Sequence, residues 1–345
     1  ESVGNSGVVA ALEETFALVI QQMSHWEPGS DLSRFNREPG WHDLKPDFFH
    51  VLTRALEIAE LTEGAYNPAL AATLDAVGFG PNSISAHPGE GRDPVITPSL
   101  VQTLSSSPEQ AEPSALDPGL RRDERNKVQG WREIRLDPAN SRAFQPGGVA
   151  LDLSSIAKGH AVDLCATRLR GLGIASFLTE IGGEFVGEGV KPDAQPWWIE
   201  LELSDMAPAA GEPRHTDVAL VGLAIATSGD FVRRREGASH LLDGRTGTPL
   251  RGELSGVSVI HASAMEADGW ATALFALGVE QGMAMADAHG LAAVFAIRTS
   301  DGARSRLSAK AREMLDAQQR AQRACILMCH SRSPSSETNS ERPSS

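Results

Sequence analysis

Residues 150–189, ALDLSSIAKGHAVDLCATRLRGLGIASFLTEIGGEFVGEG, constrain the fold more tightly than any other stretch. Leu151 and Leu153 alternate as in a short strand, and a tight turn at Ser154 and Ser155 leads into a helix from about Ala157 to Leu172. Ala161, Leu164, Cys165 and Leu169 fall on one face of that helix, which Gly171 and Gly173 terminate. SFLTEI then predicts a buried strand ending in a turn at Gly182 and Gly183. The unit sets Asp152 at a strand end and Lys158 in the first helical turn, near a glycine pair. Unpaired N–H groups at a helix start, with a lysine beside them, favour a phosphate. An ordinary capped turn with a solvated lysine has the same signature.

With 345 residues, 41% of them hydrophobic, the chain is long enough for one large or two small domains. A net charge of -14 argues against nucleic acid or an anionic membrane surface as partner, while leaving room for a local basic phosphate pocket. Three cysteines, Cys165, Cys325 and Cys329, give no disulfide framework, and Cys165 sits on an apolar helix face. Cys325, Cys329 and His330 lie in a polar tail and match no full set of metal ligands. There is no run of 18 apolar residues and no signal-peptide pattern, and the chain starts at Glu1.

Taken in order, residues 8–24 predict an amphipathic helix. HWEPGSDLSRFNR follows, with Trp26 before the Pro28-Gly29 turn and either Ser30 or Asp31 as the cap of a short turn leading to Phe35. Residues 46–62 predict a second helix opened by Pro46, stopped at Gly64. Ala65, Tyr66, Asn67 and Pro68 then form an exposed-looking turn, in which the chain's one tyrosine is either a boundary aromatic or a ligand contact. Residues 81–129 are rich in Pro, Gly, Ser and charge and predict a poorly ordered insertion. WREIRLDP resumes as an alternating strand; WWIELEL and GVSVIHA are further strands, DVALVGLAIATSG is a strand pair, and SHLLDGRTGTPL is a strand running into a Gly-rich turn. ASAMEADGWATALFALG is a helix, residues 280–289 another, and LAAVFAIR the last core strand. From Lys310 a helical extension leads into a tail expected to be disordered.

Asp268 and Thr272, four apart on a helix, project from one face and offer hard oxygens suited to Mg²⁺. Glu266 points elsewhere. A first-turn charge and a back-bonding threonine would give the same pair. His240 and Asp243 make a second polar cluster at a strand end. No dinucleotide-binding GxGxxG, P-loop or nucleophile-elbow motif is present in convincing form.

The segments DLSSIAKGHAVD, TEIGGEF, ATSGDF, SHLLDGRTGTP and SAMEADGWATALFALG, preceded by SDLSRFN and TEGAYNPAL, occur in one order that resembles the FAD:protein FMN transferase (ApbE) family. The resemblance covers roughly residues 10–80 and 130–300. It implies a single α+β domain with a T-fold-like core, made of residues 1–80 and 130–309 and interrupted at 81–129, with an extension and disordered tail at 310–345. It further implies Mg²⁺-dependent transfer of FMN from FAD to a threonine hydroxyl of an acceptor flavoprotein, a redox-pump or reductase subunit, with release of AMP.

Carried over by motif, the Mg²⁺ ligands are Asp268, Thr272 and the backbone carbonyl of Ser155. Asp152 and Lys158 contact the FAD, and Ala65, Tyr66 and Asn67 line its site. Trp26 falls where the family places an aromatic beside the flavin or adenine; His240 and Leu242 lie near the isoalloxazine and the reacting phosphate. His240 or Asp243 is the base for the incoming threonine. Family habit places the enzyme on the periplasmic side of the bacterial inner membrane. Three differences stand out: the family's Met-Gly-Thr strand before the first helix precedes the start of this chain, Ser154-Ser155 replaces Gly-Gly, and Gly244 replaces Pro. The same site would also serve FAD hydrolysis to FMN and AMP, or FAD binding without catalysis.

Overall fold

The computed structural model describes residues 5–81, 128–201, 204–212, 216–230, 234–235 and 238–331. Most of the expected insertion and all of the expected disordered tail lie outside these residues. Helices α1 (Asn5–Met23), α2 (Asp31–Arg37), α3 (Pro46–Leu61) and α4 (Ala71–Ala76) come first, with strand β1 (Gly40–Asp43) before α3. Ser30, not Asp31, caps α2, its hydroxyl accepting the N–H of Ser33 at 2.9 Å. β2 (Arg135–Asp137) and β3 (Arg142–Gln145) join β1 in a small antiparallel sheet with β3 in the middle.

The main body is a six-stranded antiparallel sheet. Its strands are β4 (Phe177–Ile181), β5 (Glu184–Glu188), β8 (Leu223–Gly229), β13 (Leu254–His261), β14 (Ala292–Thr299) and β15 (Gly302–Leu307), in the order β15-β14-β13-β8-β5-β4. Helices α5 (Ser154–Gly171) and α6 (Ala264–Ala288) cover one face. Period-two alternation divides the strands: Val257, Val259 and Phe295 join Trp270 and Leu274 of α6 in the larger core. Ile225, Ile260 and Val294 face the other way, onto Ala311 and Leu315 of helix α7 (Ala309–Ser331) and the hairpin of β6 (Trp197–Glu200) and β7 (Asp217–Leu220). Among the described residues no helix is long and apolar enough to cross a membrane.

Several elements differ from the sequence expectation. Residues 150–153 form no strand, because the Asn36 side chain takes both backbone groups of Leu151, at 2.8 and 2.9 Å, and Asp152 N donates to the Pro68 carbonyl at 2.7 Å. α5 starts at Ser154, earlier than expected, with the Asp152 carboxylate accepting the Ser154 N–H at 2.8 Å. β4 is an edge strand and only half buried. The start of WREIRLDP is a 3₁₀ turn (Gly130–Glu133) that buries Trp131, so only its second half is strand. α6, by contrast, contains the two helices expected over 264–289, joined at a kink where Gly278 leaves helical geometry with φ 75° and ψ -177°, a conformation that only glycine adopts readily. Val128, within the stretch read as insertion, is buried against Leu70 and Leu242.

Two sets of contacts seat α5. Gly159 crosses α6 with no room for a side chain: an added Cβ would lie 2.2 Å from the Ala264 carbonyl oxygen. The next residue round α5, His160, donates from Nε2 to Asp47 of α3 at 3.2 Å, and Asp47 also accepts from Gln22 of α1 at 3.3 Å.

Gly159→Ala is therefore expected to destabilise the fold by about 2–3 kcal/mol, measured by urea unfolding, since the obstacle is backbone and cannot swing away. Burial lowers the pKa of His160 more than Asp47 raises it, with His50 adding to the lowering and Asp163 opposing it. The unfolded chain thus takes up a proton near the ordinary histidine pKa of 6.5 that the folded chain resists. Stability at this residue is full above that pH and falls below it; His160→Gln should flatten the slope in a pH series of unfolding midpoints.

Candidate active site

The first turns of α5 and α6 meet where Gly159 lets the backbones touch, and this brings three charges together. Asp268, on α6 and 2% exposed, accepts the Gly159 N–H through Oδ2 at 3.0 Å. Lys158 Nζ lies 3.8 Å from Asp268 Oδ1 and 2.5 Å from Oε1 of Glu184, which is 1% exposed. The Lys158 side chain is 40% exposed, so its head bridges the buried acids and the outside. Asp163, one turn further along α5, fixes the crossing: its carboxylate accepts Ser263 Oγ at 2.6 Å, Ala264 N at 2.8 Å and Met265 N at 3.0 Å. These bonds cap the start of α6.

The burial of the acids has a cost. Glu184 is pushed up to about 8, first by burial and then by the Asp268 charge, against the pull of Lys158. Asp268 is raised for the same first reason, with Lys158 and the Gly159 N–H opposing. Among the described residues no three of His, Cys, Asp and Glu converge as a metal cluster. A cation here would draw on Asp268 together with neutral oxygens. One such oxygen is Thr272 Oγ1, one turn beyond Asp268, 2.8 Å from Ser228 Oγ at the end of β8. The threonine thus bonds across to the sheet. The Ser228 segment is strand through Gly229, and Asp230 beyond it is buried and paired with Arg298.

Residues 65–68, expected to be exposed, are buried and form the hub of the site. Tyr66, 2% exposed, accepts Ser155 Oγ at 3.1 Å. Its phenol is held well above the ordinary tyrosine range by burial, with the charges of Asp268 and Asp152 adding to the effect. The Asn67 amide donates to the carbonyls of Val128 at 2.6 Å and Gly244 at 2.7 Å, and its oxygen accepts Ala69 N at 2.8 Å. Ala65 accepts the Gly244 N–H at 3.1 Å. His25 Nδ1 is 3.2 Å from Asp152 Oδ1 and its ring is 5.3 Å from that of Trp26, which ties the α1–α2 loop to the start of α5.

The remaining expected residues lie on the loop that Gly244 anchors. After the two-residue strands β9 (Arg234–Arg235) and β10 (Ala238–Ser239), which pair with each other, Leu242 and Asp243 form β11, paired in a short hairpin with β12 (Thr248–Pro249). Leu242 is buried against Leu70 and Val128. Asp243 is held in an ion pair with Arg245, at 3.0 and 3.1 Å. His240 is half buried, its ring 6.0 Å from that of Phe79. Glu266 is engaged elsewhere, by a two-point pair with Arg54 at 2.7 and 2.8 Å.

Sequence reasoning did not single out Glu184, His25 or Gly159. For Glu184 a signal existed. Gly182 and Gly183, at φ 63° and 99°, form a two-residue hairpin turn that pairs Ile181 with Glu184. Glu184 and Val186 then share a strand face, and Val186 packs with Val162 and Ala166 of α5.

Comparison with known proteins bears on this arrangement. A family model described as the ApbE family matches residues 3–295. A FAD:protein FMN transferase of Vibrio cholerae is 31% identical over 291 residues, covering 82% of this chain and 77% of that protein. One of Haemophilus influenzae is 30% identical over 296 residues, covering 82% and 76%. The apo crystal structure of Pseudomonas stutzeri flavinyl transferase ApbE superposes with a TM-score of 0.72 at 29% identity, over 91% of this chain and 90% of that one. The flavin transferase ApbE from Vibrio cholerae gives 0.73 at 26% identity, over 90% and 91%.

Asn67→Ala would leave two buried carbonyls without partners. A loss of about 2–4 kcal/mol in urea unfolding is expected, because each orphaned group keeps its desolvation penalty.

Proposed function

The chain belongs to the ApbE family, and on that premise we propose that it transfers the FMN half of FAD, with Mg²⁺, to a threonine hydroxyl of an acceptor flavoprotein and releases AMP. The observation that carries this reading is the buried Asp268 carboxylate set one helical turn from the Thr272 hydroxyl and beside the half-exposed Lys158. Burial without a full ion pair leaves Asp268 a carboxylate suited to a hard cation, and the neighbouring neutral oxygens suit Mg²⁺ rather than a softer metal. The Gly159 N–H, which a regular helix directs to the Ser155 carbonyl, donates to Asp268 at 3.0 Å, which supports the Ser155 carbonyl as a third ligand. Mg²⁺ held there would offset pyrophosphate charge and make AMP a better leaving group.

The chain's own residues supply the rest. Lys158 is placed to neutralise phosphate oxygens from its exposed side. Asp152, Trp26 and residues 65–67 would hold the FAD, with the buried hub keeping them in one geometry. In the transfer, the threonine oxygen bonds to the FMN phosphorus, the bond from that phosphorus to the AMP oxygen breaks, and AMP leaves with the electron pair. The threonine proton passes to a base. His240 is favoured over Asp243, because Arg245 already occupies both oxygens of that carboxylate. A periplasmic setting and a redox-pump or reductase subunit as acceptor follow from the family resemblance.

Incubation with FAD, Mg²⁺ and an acceptor flavoprotein domain, read by intact mass, should add one FMN to the acceptor. Asp268→Ala should abolish the gain, and His240→Ala should slow it by about 10²–10⁴-fold. Release of FMN and AMP with no labelled acceptor would make the protein a hydrolase instead.

A further inference from the structure

We propose that Glu184 is a positioning residue that holds the Lys158 ammonium off Asp268 and so keeps that carboxylate open to a divalent cation; this rests on the metal reading given above. Among the described residues two buried acids meet one lysine here, and the lysine has a choice of partner. It takes Glu184, at 2.5 Å, and stops 3.8 Å from Asp268. Glu184 is built in to make that choice. It is the first residue of β5, set directly after the two-glycine turn that fixes its register. That turn backs the pair: a Cβ at Gly182 would sit 3.5 Å from Lys158 Cδ and 3.6 Å from Glu184 Oε2. The second oxygen, Oε2, is buried with no hydrogen-bond partner, so the ion pair with Lys158 is the bond that accounts for the carboxylate's burial.

An ammonium that closed fully on Asp268 would occupy the lone pairs a cation needs, and the site would neutralise itself. Glu184 prevents this by outcompeting Asp268 for the same head group. The lysine also stays pointed outward, where a phosphate reaches it. The device depends on length as well as charge, because the glutamate must reach the ammonium from the sheet side.

The test is a double-mutant cycle on metal affinity, read by the loss of the free Mn²⁺ electron paramagnetic resonance signal on the full chain without FAD. Glu184→Asp keeps the charge and shortens the reach; Mn²⁺ binding should weaken by about ten-fold, as when other supporting partners of metal ligands are removed. Lys158→Met alone should bind Mn²⁺ at least as tightly as wild type. In Glu184→Asp/Lys158→Met, affinity should return to that of Lys158→Met within about three-fold, because without the lysine the length of residue 184 no longer matters.

An unchanged Glu184→Asp would overturn the proposal, as would a double variant as weak as Glu184→Asp itself. Should Glu184→Asp fail to fold by circular dichroism, Glu184→Gln, which keeps the shape, takes its place in the same cycle. Wild-type protein that binds no Mn²⁺ would overturn the metal reading and this inference together. Wild-type protein that labels an acceptor, with no coupling in the cycle, would overturn this inference alone.

Discussion

The crossing of α5 and α6 at Gly159 is the contact on which the site depends. Any side chain there would meet the α6 backbone, so the two helices approach as closely as backbones allow. Only at that distance does the Gly159 N–H reach the Asp268 carboxylate, and only then does Lys158, its neighbour, lie between Asp268 and Glu184. Asp163 closes the same crossing one turn later by capping α6. Helix packing and site electrostatics are therefore one interaction viewed at two scales. The sheet supplies the third side, with Glu184 on β5 and Ser228 on β8 set by antiparallel register against each other's strands.

Burial gives this corner its chemistry. Two carboxylates out of water, with one lysine between them, favour uptake of positive charge, as a proton or a cation. That is why both acids shift upward, and why Asp268 is suited to a hard metal. Burial, with the charges of Asp268 and Asp152 adding to it, keeps the Tyr66 phenol neutral, and that phenol anchors Ser155. The polarity of the site is thus directed inward, toward its buried acids, while Lys158 presents a positive head at its mouth.

Much of this was legible in the sequence where local physics decides it. The Pro46 helix start, the four-residue spacing of Asp268 and Thr272, and the glycine turn at 182–183 all follow from short-range rules, and the structure contains them. What short-range rules missed depends on partners far away in the chain. Leu151 alternates like a strand residue, but Asn36 takes its backbone groups. Residues 65–68 carry a turn signature and are nonetheless buried, because Gly244 and Val128 close over them from distant segments. Lys158 reads as a solvated charge until strand register places Glu184 beside it. Charge in a sequence is visible; its desolvation is a property of the assembled layers.

At 155 and 244, where the family resemblance implies glycine and proline, local geometry accommodates the residues present. Ser155 could have disturbed a tight helix start, but its hydroxyl is absorbed by Tyr66, and its carbonyl is untouched by the change of side chain. At 244 the backbone N–H donates to the Ala65 carbonyl, which a proline could not do. A Cβ there would stand 2.3 Å from the Gly64 carbonyl oxygen and 2.6 Å from the Asn67 Cβ. Glycine at 244 therefore ties the loop to the hub by a direct backbone bond. The loop carrying His240, Leu242 and Asp243 is held by residues 65 and 67 instead of by its own backbone restriction. These bonds fix that loop to residues 65 and 67, so the residues proposed to line the flavin and the proposed base share one framework.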